Sequence, residues 1–174
     1  MAYQKLQVSE ALQVIKGKVR IPDPTSVVCL DTATGATKAI GDFSAANTLT
    51  DVGTKFTEAG ILPGAIVYNF TANKAYYVVT VDSDTQLTLS TGTAGGATDG
   101  YAIYTKATAG CILFVGTGGN VALQMAENNG NTSVAAAPAN EIVLYKNISS
   151  GCWMPTQVVR VDGATTAEDI IALW

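Results

Sequence analysis

The chain of 174 residues reads as an all-β protein of antiparallel strands into which a small barrel-like module is inserted. Three observations predict this. Cys111 to Val115 is an uninterrupted apolar run bracketed by Gly110 and Gly116, the pattern of a strand buried on both faces. Between about 47 and 106, short runs rich in β-branched and aromatic residues alternate with turn signals. The last third then returns to strand-like runs at Glu141 to Tyr145, Gly151 to Val161 and Ile170 to Trp174. The organisation that follows is an N-terminal arm with the first strands of a main β-domain (1–46), an inserted small β module (47–106) and the remainder of the main domain (107–174).

Residues 1 to 26 alternate weakly and end in Ile21-Pro22-Asp23-Pro24-Thr25, where two prolines enforce an extended course. Such an arm either lies across a neighbouring subunit or packs as strand and loop on its own domain. Val27 to Leu30 reads as a short buried strand, closed by the turn-rich Asp31 to Gly35. Within the module, Gln86 to Ser90 has a period of two with Leu87 and Leu89 on one face, the mark of a half-buried strand. Asp82-Ser83-Asp84 reads as a hairpin loop. These runs supply four or five short strands, enough for a small barrel or a curved sheet. Gly92 to Gly100 reads as a loop without the apolar surface to hold one conformation.

After the central strand, Gly116-Thr117-Gly118-Gly119-Asn120 permits a tight reversal, which predicts a hairpin returning along Val121 to Met125. The long uncharged stretch from 128 to 140 follows; a loop of that length in a compact domain is a functional or a disordered one, and its Ala-rich, uncharged composition points to contact with protein more than with water. Near the end, Thr165-x-x-Glu168 matches a helix-capping pattern. With six residues remaining, it predicts one helical turn and then a terminal strand.

Charged residues make up 14% of the chain against a usual value of roughly 25%. That is little with which to coat a free monomer, so part of the surface is expected to be covered by other subunits. A net charge of −4, without any basic cluster, argues against nucleic acid as a partner. The opening Met1-Ala2-Tyr3-Gln4-Lys5-Leu6 shows no secretion signal and no run approaches a membrane span, so a soluble protein without a membrane partner is expected. Cys29, Cys111 and Cys152 are odd in number and follow no metal-binding spacing, and they read as core thiols. The chain has no histidine, which removes the usual general base, zinc ligand and activator of a nucleophile.

Four further runs carry a resemblance. They are Leu113 to Val121, Tyr145-Lys146-Asn147-Ile148 with Met154 to Val161, and Thr165 to Trp174. With the opening Met1 to Gln7 and Ile21-Pro22-Asp23-Pro24, they resemble a family of tailed-phage virion proteins related to the head-spike base protein of a bacterial gene transfer agent. Residues 47 to 106 resemble a small β module inserted in many phage structural proteins, carried by Gly60 to Asn69 and Val81 to Ser90. Where that module often has Asp after Pro63-Gly64, this chain has Ala65. The resemblance implies a β-sandwich of jelly-roll type displayed in a symmetric ring or cluster on a virion assembled in the bacterial cytoplasm. It implies a homo-oligomer, trimer or pentamer, in contact with the major capsid protein or a fibre, acting as capsid decoration, cement or spike base without catalysis.

Gly116-x-Gly118-Gly119 lacks the Lys-Ser/Thr and helix of a phosphate loop and reads as turn chemistry. Asp82 and Asp84 are the candidates for a calcium site, which needs about six to eight oxygens. Only Asp99 and nearby hydroxyls supplement them, so no metal is assigned and no cofactor is expected. Glu168-Asp169 with Glu58, Glu127 and Glu141 are the carboxylates a glycan hydrolase would use, and a solvated-surface reading is preferred. Interface residues are expected at Ile21, Pro22, Pro24, Val134, Pro138, Trp153 and Trp174, aromatics being favoured anchors of a core or a contact. An alternative is a host-receptor or glycan-binding module with Tyr76, Tyr77 and Tyr101 as its exposed aromatics.

Overall fold

The computed structural model describes residues 9–31, 33–90, 95–127 and 139–174. In chain order the strands are β1 (Ala11–Gln13), β2 (Ala39–Gly41), β3 (Thr48–Thr50), β4 (Ile66–Asn69), β5 (Lys74–Ser83) and β6 (Gln86–Leu89). They continue as β7 (Asp99–Tyr104), β8 (Cys111–Thr117), β9 (Gly119–Met125), β10 (Ile142–Ile148), β11 (Cys152–Val161) and β12 (Glu168–Leu173). They form two antiparallel sheets, ordered β1-β12-β8-β11-β9-β10 and β2-β7-β4-β5-β6-β3. The chain is thus all-β, a sandwich carrying a barrel-like module.

The second sheet curls until its two ends meet. Asp42 and Thr50 exchange backbone hydrogen bonds of 2.8 and 2.9 Å and so join the end of β2 to β3. Period-two alternation sends Leu49, Val67, Tyr76, Val78, Leu87, Leu89, Tyr101 and Ile103 into one interior with Phe43 and Phe56. Leu87 and Leu89 are buried as their spacing predicts, and the hairpin after β5 turns at Asp84-Thr85. The barrel sheet starts at Ala39, ahead of the boundary that composition suggested at 47.

In the first sheet the expected hairpin between the central strand and its successor does not form. β8 lies between β12 and β11, while β9 lies between β11 and β10. β11 changes partner along its length: Cys152 to Met154 pair with Val115 to Leu113, Val158 stands between Cys111 and Met125, and Arg160 and Val161 pair with Gln124 and Leu123. The sheet therefore folds over one core in which Leu113, Val115, Ile170 and Ala172 meet Val121, Leu123, Met154 and Val158. The glycines serve close approach here. A Cβ on Gly118 would lie 2.6 Å from the Ile148 carbonyl oxygen, and one on Gly119 would lie 2.7 Å from the Ala167 nitrogen.

The arm packs on its own chain. Val14, Gly17 and Ile21 donate backbone hydrogen bonds of 2.9 Å to Ile170, Val161 and Val159 respectively. On the other side, Ile15 and Val19 pack against Ile66, Tyr68, Ala102 and Tyr104 on the barrel's outer face. β4 is consequently buried along its whole length, Val67 facing the barrel interior and Ile66 and Tyr68 the arm.

Two local expectations need correction. Thr165 to Ala167 form no helical turn: Thr165 Oγ1 accepts from the Ala122 N–H, and Glu168 reaches Lys16 instead of turning back to cap. Cys111 is buried, but Cys152 is partly exposed and Cys29 exposed, because residue 29 falls on the outward side of an alternating Val28-Cys29-Leu30 run.

Candidate interaction surface

The strand alternation that fills the sandwich core also fixes what faces outward from β1, β12, β8 and β11. Register places Gln13 beside Ile171, Ile171 beside Phe114 and Phe114 beside Trp153, a transverse row across four strands. A second row runs Ala11, Leu173 and Ile112. Neither row contains a charged residue. The Phe114 and Trp153 rings meet edge to face with centroids 5.4 Å apart, yet Trp153 remains 50% exposed. Beside β1 the face is indented by a hollow of about 370 Å³ lined by Ala11, Leu12, Gln13, Asp169 and Ile171.

The residues nominated from sequence separate clearly. Trp153 lies on this face. Trp174 is partly buried, packs against the sandwich core and donates from Nε1 to Thr108 Oγ1 at 2.9 Å. Ile21 and Pro22 are buried within their own chain, because the arm is clamped between sandwich and barrel; Pro24 is partly buried in the 3-10 turn Pro24–Ser26. In this arrangement Ile21 and Pro22 are not exposed to a neighbour. Val134 and Pro138, and most of the long uncharged loop with them, lie outside the described residues, as do Thr91 to Ala94.

Of the aromatics nominated for glycan binding, Tyr76 and Tyr101 are buried in the barrel and Tyr77 is partly buried against the arm. The Tyr101 hydroxyl donates to the buried Asp51 carboxylate at 2.7 Å, and burial followed by that contact pushes its pKa up. Asp82 is exposed and accepts from the Thr80 and Thr88 hydroxyls, while exposed Asp84 offers its backbone carbonyl to Phe56. No group of three or more Cys, Asp or Glu side chains with metal-site geometry occurs among the described residues. The carboxylates are dispersed: Glu58 pairs with Lys55, Glu168 with Lys16, Glu141 accepts from Gln124 and Asp169 from Thr117.

A second hollow, of about 540 Å³, runs between Thr25 to Cys29, Glu58-Ala59 and Thr105-Lys106 and is polar along much of its length. Burial raises the Cys111 thiol to about 12, which removes it as a nucleophile at neutral pH. Sequence reading also missed the buried arginines. Arg160 lies in β11 opposite Gln124 and is lowered to about 10, first by burial and then by Arg20, with Asp162 and Glu141 opposing. Arg20 donates from Nη2 to the Thr108 carbonyl at 3.0 Å. The available signal was a lone cation inside the apolar run Val158-Val159-Arg160-Val161. No helix among the described residues is long and apolar enough to cross a membrane.

No protein-family model matches the chain, and comparison with curated proteins and with solved structures finds no match.

Proposed function

We propose that this chain is a non-enzymatic structural component of a phage particle, a capsid decoration, cement or spike-base protein that acts through contacts between copies and with other virion proteins. The observation that carries the assembly part is the pair of uncharged rows across the outer face of β1, β12, β8 and β11, centred on the half-exposed Trp153 beside Phe114, with Asp169 the charged residue at the rim of the hollow. A large aromatic left half in water on a rigid sheet is the kind of anchor around which protein contacts concentrate their energy. The low charge of the whole chain supports the same reading, since few ionic groups remain to solvate a free surface. The phage setting rests on the sequence resemblance of the two ends and of the inserted module.

Size-exclusion chromatography with light scattering, followed by co-sedimentation with capsids, tests this. The native chain is expected to self-associate and to co-sediment. Trp153→Ser is expected to weaken association by about tenfold or more, as loss of an aromatic anchor does, while leaving the melting temperature nearly unchanged. A chain that stays monomeric at high concentration and ignores capsids refutes the proposal.

A further inference from the structure

Among the described residues, the strand edges are blunted at all but one. The barrel sheet is joined end to end by Asp42 and Thr50. β1, at one edge of the sandwich sheet, is three residues long, too short to template much pairing. The half of β11 that pairs only with β8 carries Pro155, which has no N–H to give a new neighbour. β10 differs. It is seven residues long, stands at the other edge of the sheet and pairs only with β9 among the described residues. Val143 is 38% exposed and Leu144 48% exposed, and Lys146 is the one charged residue in the strand. Its far end is interrupted by a register shift between Tyr145 and Ile148, with Asn147 at φ 56°. Ile142 to Lys146 is thus a regular, nearly uncharged edge whose backbone groups on one side have no strand to meet among the described residues.

We propose that β10 is a strand-pairing site whose occupant is β10 of a second copy, antiparallel about a two-fold axis normal to the sheet. The occupant follows from register and charge. A two-fold of that orientation keeps each face of the joined sheet continuous, so residues of like facing stand opposite each other. Centring on Leu144 uses the regular stretch from Ile142 to Lys146 in full, with Val143 opposite the partner's Tyr145 and Ile142 opposite the partner's Lys146. The aliphatic stem of the lysine then lies along an isoleucine while its ammonium reaches water. Centring on Val143 would draw in the 3-10 turn Ala139–Glu141, which is not extended, and centring on Lys146 would oppose like charges. This deepens the assembly role proposed above and rests on it for its setting.

Sedimentation of the full chain at about 100 μM, a concentration that populates contacts of micromolar affinity, provides the test, with three variants. Leu144→Lys puts two ammonium groups on the axis and is expected to weaken dimerisation by about tenfold or more at unchanged melting temperature. On a Cys29→Ser background, Leu144→Cys is expected to give a covalent dimer on mild oxidation. Directly opposed antiparallel residues have Cα atoms about 4.5–5.5 Å apart, within disulfide range. Val143→Cys is expected to stay uncrosslinked, its two copies being offset by about 7 Å along the strands. A native chain that is monomeric throughout, association of a Trp153→Ser chain that survives Leu144→Lys, or crosslinking through Val143→Cys in place of Leu144→Cys overturns the proposal. Capsid binding retained by a monomeric chain overturns the pairing alone, and dimerisation through β10 without capsid binding overturns the particle reading alone.

Discussion

The barrel and the sandwich are built from the same alternating strands, yet they finish their surfaces differently. The barrel turns its aromatic side chains inward, Phe43, Phe56, Tyr76 and Tyr101 filling one interior, and joins its own ends through Asp42 and Thr50. The sandwich fills its core with smaller side chains such as Val115, Leu113 and Ala172, then leaves Phe114 and Trp153 outside and the β10 edge unpaired among the described residues. A closed sheet has no edge to offer, so it is suited to be a rigid spacer. An open sheet with uncharged rows across its outer face is suited to be the part that meets others.

The largest test of this contrast attacks the seam between the two units. Tyr68 is fully buried between the barrel's outer face and the arm, edge-on to Tyr104 with centroids 5.7 Å apart. Tyr68→Ala is expected to cost about 3–5 kcal/mol, the range for truncating a buried aromatic. Because Tyr68 is the largest fully buried side chain among those joining arm to barrel, calorimetry of the variant is expected to show two transitions. One transition, merely shifted down, would mean that barrel and sandwich are a single cooperative unit.

A smaller effect distinguishes the two cores by titration. Burial raises the Tyr68, Tyr101 and Tyr104 phenols above their ordinary 10.0, all three in the barrel strands, and raises the Cys111 thiol of the sandwich from 9.0 to about 12. The unfolded chain loses these protons from about pH 9 to 10 while the folded chain keeps them. The unfolded state then binds fewer protons, and stability falls with rising pH by about 1.4 kcal/mol per pH unit for each group fully titrated. Arg160, lowered to about 10, and Arg20, also lowered by burial, act in the opposite sense, the folded chain releasing protons that the unfolded chain still holds. Three phenols and a thiol outweigh two guanidiniums, so the melting temperature is expected to drop steeply between pH 9 and 11, and Tyr68→Phe to make that drop shallower. An unchanged slope in Tyr68→Phe would show that the phenol is ionised equally in both states.

Much of this arrangement was legible from strand-by-strand alternation. Leu87 and Leu89, the run from Cys111 to Val115 and the terminal strand at Ile170 declare themselves because burial acts residue by residue with a period of two. What escaped were the partners. The glycines at 116 to 119 signal a reversal, but whether β8 then pairs with β9 depends on β11 and β12, which come later in the chain. For the same reason Tyr76 and Tyr101 read as candidate surface aromatics until the closure of the barrel put them inside. The arm's prolines signal extension without saying against what, and the clamp on Ile21 and Pro22 needs both the barrel and β11 in place. Trp153 read as a core or interface aromatic and stands half-exposed, whereas the openness of β10 is a property of its place in the sheet order.

The smallest expected effect concerns how the arm is held to the sandwich. Lys16 Nζ sits 2.6 Å from Glu168 Oε1 and also donates to the Ala167 carbonyl at 3.1 Å. Glu168 is largely exposed, so the ion pair itself contributes on the order of 0.5 kcal/mol, as solvent-screened pairs do. The hydrogen bond to Ala167 is better sheltered, since Lys16 is mostly covered. Glu168→Gln, which keeps an acceptor, is therefore expected to change stability by about 0.5 kcal/mol or less. Lys16→Met, which leaves the carbonyl without its donor, is expected to cost about 1 kcal/mol, read as a shift in urea midpoint. Equal losses in the two variants would mean that the charge, and not the backbone contact, ties the arm to β12.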